Sequence, residues 1–356
     1  MKKSLASLME RLPEGVDGAI ITSDLNRRYF TDMKSSAGTL LVTRKAAAFI
    51  IDFRYIEKAK KTVEGAEVIL QDKLYDQITE FFNGHGVKTV AVEADSMTVS
   101  EFAHCRSALP AFTLTDGEEL SSRINELRMY KTEEEIGYIE AAQAITDQTF
   151  THILDVIRPG VTEREIALEM EYTMRKLGAS GLAFETIVAS GVNSSMPHAV
   201  PSDKKIEQGD FVTMDFGAAY NGYCSDMTRT VAVGSITDEQ KKVYDTVLTA
   251  QLMAIEAIPT AKRYCDVDRV ARDYIYSQGY EGCFGHGLGH SLGLFIHEEP
   301  RFSASCDLAI TAGVIETVEP GVYLEGKFGV RIEDMVLIGN DGIRDLTHSE
   351  KKLILL

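Results

Sequence analysis

Residues 211–230 constrain the fold of this chain more than any other segment, because two strand-forming runs flank the dipeptide Asn221-Gly222. Asn-Gly is the preferred two-residue type I′ turn, since both of its positions need positive φ. This turn would set Asp215 opposite Thr228 and place Asp226 two residues further along the partner strand. Because strand side chains alternate with period two, both aspartates are predicted on one face, about 7–8 Å apart at their Cα atoms. Two carboxylates on an apolar hairpin repel each other and lose hydration, and a cation between them would offset both costs.

The chain also contains a weak internal repeat. Residues 206–217 align with residues 310–321, and the His-x-x-Pro segment at His198 has a counterpart at His297. Two similar halves, each with two acids and one His-x-x-Pro segment, predict a pseudo-symmetric domain whose site lies between the halves. A chance alignment is the alternative. The matched acids are Asp215 with Glu319, and Asp226 with Asp334, which follows Glu333.

The bulk composition restricts the class of protein. The chain has 356 residues, which favours about two domains, and its 44% hydrophobic and 26% charged residues are ordinary for a globular protein. Its formal net charge of −17 argues against nucleic acid and anionic membranes as partners, because both attract basic surfaces. The five cysteines form no C-x-x-C pair, which fits free thiols in a reducing compartment. With no signal peptide and no apolar run near the ~18 residues of a membrane span, we expect a cytoplasmic protein.

Residues 1–125 are predicted to form an N-terminal α/β domain. Short strand-forming runs alternate with amphipathic runs, and Thr98 with Glu101 forms a capping box at one helix start. Nothing in this domain clusters as a catalytic set. A connector at 125–131 should lead into a second domain, residues 126–356. The expected strands are 19–22, 38–43, 46–51 and 89–92, and the expected helices are 55–63, 75–83 and 98–109.

Capping boxes mark the helices of the second domain. In each box a threonine hydroxyl can accept from the N3 amide while an acid or amide side chain reaches back. A further helix is expected from Asp266 to Gly279. Each half of the repeat is therefore predicted to consist of two helices followed by strands that carry acids. The boxes are Thr132-Glu-Glu-Glu135, Thr162-Glu-Arg-Glu165 and Thr237-Asp-Glu-Gln240.

A glycine-rich stretch carries three histidines, His286, His290 and His297. Glycines permit tight backbone geometry near a ligand. A single histidine would predict little, but three histidines beside two acid-bearing segments predict a site. The stretch has no G-x-x-x-x-G-K-[ST] pattern, so phosphate binding is not indicated.

Four acids and one histidine are the candidate metal ligands. Two divalent cations would balance the four carboxylates, and a neutral imidazole adds a ligand without charge. This balance favours a dinuclear site with cations ~3.5–4 Å apart and two bridging carboxylates. Oxygen-rich ligation with one imidazole fits Mn²⁺, Fe²⁺, Co²⁺ or Zn²⁺, and Mn²⁺ is favoured. The candidates are Asp215, Asp226, His290, Glu319 and Glu333.

With these residues in this order, the chain resembles the two-domain peptidases of the pita-bread metallopeptidase family, the Xaa-Pro dipeptidases (prolidases) and Xaa-Pro aminopeptidases. The resemblance spans about residues 128–348, and residues 28–55 also resemble the family's N-terminal domain. It implies a mixed α/β (α+β) fold, with a creatinase-like N-terminal α/β domain followed by a pseudo-two-fold pita-bread domain. The motifs are Ser190-Gly-Val-Asn193-Ser-Ser-Met-Pro-His198, Met214-Asp215-Phe-Gly217, Ser225-Asp226-Met-Thr-Arg-Thr230, His286-Gly-Leu-Gly-His290, Glu319-Pro-Gly-Val-Tyr323 and Gly329-Val-Arg331-Ile-Glu333-Asp334.

The resemblance also implies how the ligands divide between two cations. Asp215 would hold one cation, while His290 and Glu319 would hold the other. Asp226 and Glu333 would bridge the pair.

Catalytic roles follow from the same resemblance. The nucleophile would be a metal-bridging hydroxide, with Glu319 relaying its proton. His198 and His297 would contact the scissile carbonyl and the developing oxyanion. Arg331 would orient a ligand carboxylate. Members of this family commonly pair, which implies a homodimer.

The leading prediction is an exopeptidase that hydrolyses the Xaa-Pro bond of proline-containing di- or oligopeptides, as a dipeptidase or an aminopeptidase. This bond is a tertiary amide without N–H, so it needs a pocket shaped for the proline ring. A methionine aminopeptidase is the alternative enzyme, although the N-terminal domain argues against it. A creatinase-like hydrolase would work without the metal ligands. A non-catalytic scaffold would typically have lost them.

Overall fold

The computed structural model of this protein describes residues 3–356. The chain forms two compact units, Met1–Arg128 and Met129–Leu356. The first unit combines six strands with flanking helices. Its elements are α1 (Lys3–Glu10), β1 (Gly18–Ile21), α2 (Asp24–Thr31), β2 (Thr39–Thr43), β3 (Ala47–Ile51), α3 (Ile56–Thr62), β4 (Glu67–Leu70), α4 (Leu74–Gly84), β5 (Thr89–Val92), α5 (Val99–Ala108), β6 (Thr113–Thr115) and α6 (Glu119–Met129).

The six strands of the first unit form one sheet in the order β4-β3-β2-β1-β5-β6. Every residue of β1, β2 and β3 is buried, as expected for strands covered on both faces. The strands and helices predicted in this unit are confirmed to within one residue at each end, and the capping box at Thr98 is present. The α/β prediction for the N-terminal domain is therefore confirmed.

The two units divide after Arg128, within the connector predicted at 125–131, but residues 125–129 of that connector are helical because α6 continues to Met129. The helix buries Leu120, Ile124 and Arg128, which are spaced four residues apart on one face. Only two of these side chains are apolar, so the helical pattern in the sequence is too short to recognise.

The second unit repeats one order of elements in its two halves, two helices followed by antiparallel strands. The three predicted capping boxes are present, and the helix expected at Asp266 begins two residues earlier. Its elements are α7 (Glu133–Ile153), α8 (Glu163–Lys176), β7 (Gly181–Leu182), β8 (Ile187–Ser190), a 3₁₀ turn (Gly191–Ser195), β9 (Phe211–Phe216), β10 (Ala218–Tyr220), β11 (Tyr223–Cys224), β12 (Met227–Ala232), α9 (Asp238–Ala257), α10 (Tyr264–Ser277), β13 (Gly289–Ser291), β14 (Glu298–Phe302), β15 (Ile315–Val318), β16 (Gly321–Leu324), β17 (Phe328–Arg331), β18 (Asp334–Ile338) and β19 (Ile343–Asp345).

The two halves each build a sheet around one central strand. Strand β9 lies between β12 and β8, and its repeat mate β15 lies at the middle of the sheet β14-β13-β15-β18-β19. Hydrogen bonds join the halves, since Thr230 Oγ1 donates to the Arg331 carbonyl (3.0 Å) and the Glu333 amide donates to the Thr228 carbonyl (3.1 Å). Across residues 3–356, no helix combines the length and apolar character that crossing a membrane requires.

The predicted hairpin is present, with the predicted register. Asp215 pairs with Thr228. The turn residues Asn221 and Gly222 have φ values of 46° and 82°, as a type I′ turn requires. The hairpin divides at Gly217, because β9 and β12 belong to one sheet and β10 and β11 to another.

Gly217→Ala is expected to lower the free energy of unfolding by about 1–3 kcal/mol, the usual cost of overpacking, and to weaken metal binding. A Cβ atom at Gly217 would lie 1.9 Å from the Ser225 carbonyl oxygen, which is backbone and cannot rotate away. The two strands would have to separate between Asp215 and Asp226. Thermal unfolding and metal titration measure both effects.

The matched control is Gly181→Ala on strand β7, the neighbour of β10. A Cβ atom there meets nothing within 4 Å. A folded Gly217→Ala protein with unchanged metal affinity would show that this close approach does not determine the relative positions of Asp215 and Asp226.

Candidate metal centre

Acidic and imidazole side chains meet within the second unit. Ligand atoms of Asp226, His290 and Glu333, all buried, lie within 4.8 Å of one another. Glu319 adjoins them, since its Oε1 lies 3.5 Å from His290 Nε2, the same distance as Asp226 Oδ2. Asp215 lines the same cavity. The fold therefore brings together all five side chains predicted as ligands.

Most of these side chains occupy ends or irregularities of strands. Asp226 precedes β12, Glu333 precedes β18, and Glu319 directly follows β15. His290 lies on β13, where the pairing with β14 shifts register after it. A strand that breaks or bulges can re-aim a side chain away from the regular alternation, and four separate breaks supply this one cluster.

The hydrogen bonds of His290 define which of its nitrogens carries the proton. Nδ1 lies 3.0 Å from the Ser291 carbonyl oxygen, which can only accept, so Nδ1 carries the hydrogen. Nε2 therefore presents a lone pair to the carboxylates of Asp226 and Glu319. Burial lowers the pKa of His290 to about 3, so the ring is neutral. A cation between this lone pair and the two carboxylates would be attracted by all three groups.

The carboxylates carry oxygen atoms without partners. Asp215 Oδ1, Asp226 Oδ1 and Glu333 Oε1 are buried and accept no hydrogen bond. Burial, reinforced by repulsion between neighbouring carboxylates, raises the pKa of Asp226 and Glu333 well above ordinary values and that of Glu319 to about 8. Unpaired buried charge is costly unless a counter-charge compensates it. These residues therefore fit divalent cations.

The protein holds the other oxygen of Asp215 and of Glu333 through hydrogen bonds. Arg331 donates to Asp215 Oδ2 (2.6 Å) and to Thr228 Oγ1 (3.0 Å), and Thr228 donates to Glu333 Oε2 (2.7 Å). Thr317 similarly donates to Glu319 Oε1 (3.1 Å). One fixed oxygen and one free oxygen on Asp215 and Glu333 is the arrangement by which outer-shell partners orient metal ligands.

The repeat does not predict the second acid of the C-terminal half. Asp334, aligned with Asp226, pairs with Arg229 at 2.7 Å and accepts from Gln251 at 2.7 Å, so both of its oxygens have partners. The preceding residue, Glu333, enters the cluster instead.

A cavity of about 650 Å³ opens onto the cluster. His198 and His297 line it, and the His297 ring packs edge-on against His290 with centroids 4.6 Å apart. Arg331 and Arg301 also line the cavity. His198 and His297 therefore lie where a molecule bound in the cavity would contact them.

Sequence reasoning missed a hydrogen-bonded chain behind Arg331. Its guanidinium donates to the Tyr323 hydroxyl (2.9 Å), which also lies 2.9 Å from His286 Nε2. His286 Nδ1 lies 2.8 Å from the Gly287 carbonyl oxygen, so Nε2 accepts from the tyrosine. The sequence contained a signal, since Tyr323 ends the motif that begins at Glu319, but no local rule connects it with His286.

The fold and the site together define a hydrolase whose carboxylate–imidazole cluster lies at the base of an open cavity. The model of metallopeptidase family M24 matches residues 137–340, and that of the creatinase/prolidase N-terminal domain matches residues 3–130. The chain therefore belongs to metallopeptidase family M24, and it is a peptidase.

Several named relatives are similar over nearly their whole length. The Xaa-Pro dipeptidase of Pyrococcus furiosus is 37% identical over 358 residues, 99% of this chain and 100% of that protein. The solved Xaa-Pro dipeptidase from Bacillus anthracis is 41% identical with a TM-score of 0.92, covering 99% of this chain and 98% of the other. The X-Pro aminopeptidase from Thermotoga maritima is 38% identical with a TM-score of 0.89, covering 96% and 98%. The predicted family and fold are thus confirmed.

Proposed function

We propose that this protein is a dinuclear-metal-dependent exopeptidase that hydrolyses the Xaa-Pro bond, as an Xaa-Pro dipeptidase or an Xaa-Pro aminopeptidase. The observation that carries the proposal is the set of unpaired buried carboxylate oxygens around the lone pair of His290. Relatives named Xaa-Pro dipeptidase and X-Pro aminopeptidase support specificity for the Xaa-Pro bond.

Two divalent cations fit the charge of the cluster, because four carboxylates and a neutral imidazole would balance them. In the proposed arrangement Asp215 would serve one cation, His290 and Glu319 would serve the other, and Asp226 and Glu333 would serve both. Mn²⁺ is favoured over Fe²⁺, Co²⁺ and Zn²⁺, since oxygen ligands predominate. When bound, such cations would supply the positive charge that makes water nucleophilic near neutral pH.

The protein's own side chains would then bind the substrate and move protons. Glu319, held through one oxygen by Thr317, would take the proton of the attacking water and pass it to the leaving amine. His198 and His297, on the cavity wall, would donate to the substrate carbonyl and to the oxyanion that develops from it. Arg331 would keep Asp215 oriented through their 2.6 Å ion pair.

The cavity suits a short peptide. Its volume of about 650 Å³ lies within the ordinary range of ligand pockets. Apolar side chains such as Phe184, Ile187 and Ile296 line it together with the polar groups. An Xaa-Pro peptide presents an apolar ring next to a carbonyl, which requires both kinds of surface.

The test is a hydrolysis screen with purified protein, stripped by chelator and reloaded separately with Mn²⁺, Co²⁺, Zn²⁺ or Fe²⁺. We expect turnover of Xaa-Pro dipeptides or Xaa-Pro-Yaa tripeptides, little turnover of matched Xaa-Ala peptides, and about two equivalents of metal per chain. Preference for dipeptides would define a dipeptidase, and preference for tripeptides an aminopeptidase. Cleavage of Met-Ala peptides or of creatine in place of Xaa-Pro peptides would contradict the proposal. So would a protein that binds no metal and stays inactive after each reloading.

We also propose a cytoplasmic homodimer. The five free cysteines fit a reducing compartment. Family resemblance is the basis for the dimer, and light scattering at micromolar concentration would distinguish it from a monomer.

A further inference from the structure

The segment that carries His198 is held at both ends by one buried carboxylate. This segment, residues 190–202, is here called the His198 segment, and it supplies Pro197, His198 and Val200 to the cavity wall. We propose that Glu163, through its six hydrogen bonds to the His198 segment, is a positioning residue that sets His198 for catalysis. The inference rests on the proposed role of His198.

Glu163 accepts from both ends of the segment. At the first end, its Oε1 accepts from the Ser190 amide (2.7 Å), the Ser190 hydroxyl (2.8 Å) and Asn193 Nδ2 (3.1 Å). At the far end, its Oε2 accepts from the Ser202 amide (3.1 Å) and hydroxyl (2.6 Å), while Asn193 also reaches this oxygen at 3.2 Å. One side chain thus closes the segment into a loop.

Between its ends the segment is only partly buried, with Ser194 and Ala199 inside. Val192, Met196 and Val200 are 48%, 51% and 78% exposed. Two contacts support its middle, Ser194 Oγ, which accepts from the Gly329 amide (2.9 Å), and the Pro197 carbonyl, which accepts from Arg331 (3.3 Å). The carboxylate at its base is therefore a major restraint on where His198 lies.

Glu163 does more than favour the start of a helix. It is the first residue of α8, where any acid interacts well with the helix dipole. However, Thr162 and Glu165 already form the capping box, and the Glu163 side chain is fully buried against the segment. Its bonds go to the segment and not to the helix.

The carboxylate is ionised at neutral pH. Burial alone would raise the pKa of Glu163, but the donors from Ser202, Ser190 and Asn193 outweigh burial and lower it. Because its pKa is lowered, the hydrogen-bonded Glu163 carboxylate stabilises the fold above the ordinary carboxyl pKa. This contribution is lost as pH falls through the folded-state pKa. Hydrogen bonds to an ionised acceptor are also stronger than neutral ones.

The test is a double-mutant cycle between Glu163→Gln and His198→Ala. Glutamine keeps the size of the side chain but turns one acceptor into a donor, which must face the donors of either Ser190 or Ser202. We expect Glu163→Gln alone to lower kcat by about 10–100-fold, the effect of a small misplacement, with metal content unchanged. In the His198→Ala background the same change should alter kcat by less than about twofold, because the histidine it positions is gone.

Several outcomes would overturn the inference. Equal effects of Glu163→Gln in both backgrounds would mean that Glu163 acts on the fold and not through His198. Unchanged kcat in the single variant would also overturn it while leaving the role of His198 intact. Unchanged kcat in His198→Ala would overturn the proposed role of His198 first, and the inference with it, although Xaa-Pro hydrolysis itself would stand.

Glu93→Gln is the matched control for general destabilisation. Glu93 is a fully buried carboxylate in the first unit, and it accepts from the Thr22 and Ser23 amides, the Ser23 hydroxyl and Asn26. It should lower the unfolding temperature and leave kcat unchanged. If Glu163→Gln does not fold, Ser202→Ala enters the same cycle, with the same outcomes deciding. It removes the 2.6 Å bond to Glu163 and the weaker bonds that the Ser202 hydroxyl accepts from the Lys204 amide (3.1 Å) and Asn193 (3.4 Å).

Discussion

Replacing Asp226 by asparagine is expected to abolish most of the peptidase activity and to release metal. The reason is charge, since asparagine keeps the size of the side chain but removes a carboxylate that lies 3.5 Å from His290 in the three-residue ligand group. The loss should exceed the roughly 10–100-fold that removing an outer-shell partner costs. Metal analysis after gel filtration and kcat with an Xaa-Pro peptide measure the two effects.

Metal-free Asp226→Asn protein should be more stable than the metal-free parent. Asp226 Oδ1 has no partner, and burial with repulsion from Glu333 raises the pKa of Asp226 well above its ordinary value. A carboxyl whose pKa is raised on folding destabilises the fold at pH values above its ordinary, unfolded-state pKa, so replacing this group by a neutral one relieves a cost at neutral pH. Thermal unfolding of the two metal-free proteins at neutral pH measures the sign of this stability difference.

Asp334→Asn is the contrasting control. Asp334 is also buried, but its oxygens are paired with Arg229 and Gln251. Breaking a buried ion pair typically costs about 3–5 kcal/mol, so this variant should be less stable with and without metal. An Asp226→Asn protein that retains two metals and normal turnover would refute the dinuclear assignment.

The second large effect separates metal binding from catalysis among the histidines. His290→Ala should lose one metal, because His290 Nε2 is the imidazole lone pair directed at Asp226 and Glu319. His198→Ala and His297→Ala should keep both metals and lose about 10²–10³-fold in kcat, the usual cost of removing an oxyanion donor. Metal stoichiometry and kcat, measured on the same samples, distinguish the two classes.

His152→Ala is the matched control, since His152 lies on the surface and pairs with Glu169 at 2.7 Å. It should change neither measurement. If His297→Ala loses metal while His290→Ala keeps it, the two assigned roles are reversed.

Local rules in the sequence predicted much of the scaffold. Asn221-Gly222 requires positive φ at both positions, so this dipeptide alone predicted the turn and the pairing of Asp215 with Thr228. The threonine capping boxes likewise predicted where α5, α7, α8 and α9 begin. Helix α6 was missed because its buried face has only two apolar side chains, Leu120 and Ile124.

The candidate metal ligands were named from the hairpin, the repeat and the histidine-rich stretch, and the resemblance to a family implied how they divide between two cations. Their convergence depends on contacts far apart in sequence. The repeat pointed to Asp334 as the mate of Asp226, yet Arg229, 105 residues away, holds Asp334 and leaves Glu333 to the site. The link from Arg331 to Tyr323 and His286 also joins separate segments. No periodicity within one segment encodes such a choice.

The sequence by itself determined the elements whose causes are local, namely a turn that needs positive φ, helices that begin at capping boxes, and strands that pair across a short loop. Only the tertiary structure decided which buried acids have oxygens without partners and which are fully paired. The tertiary structure also decided the contacts of Glu163 with Ser190 and Ser202, although its position in the sequence indicates only an acid at the start of a helix. The physical reason is that the cost of a buried charge depends on every group that packs around it, and those groups come from distant parts of the chain.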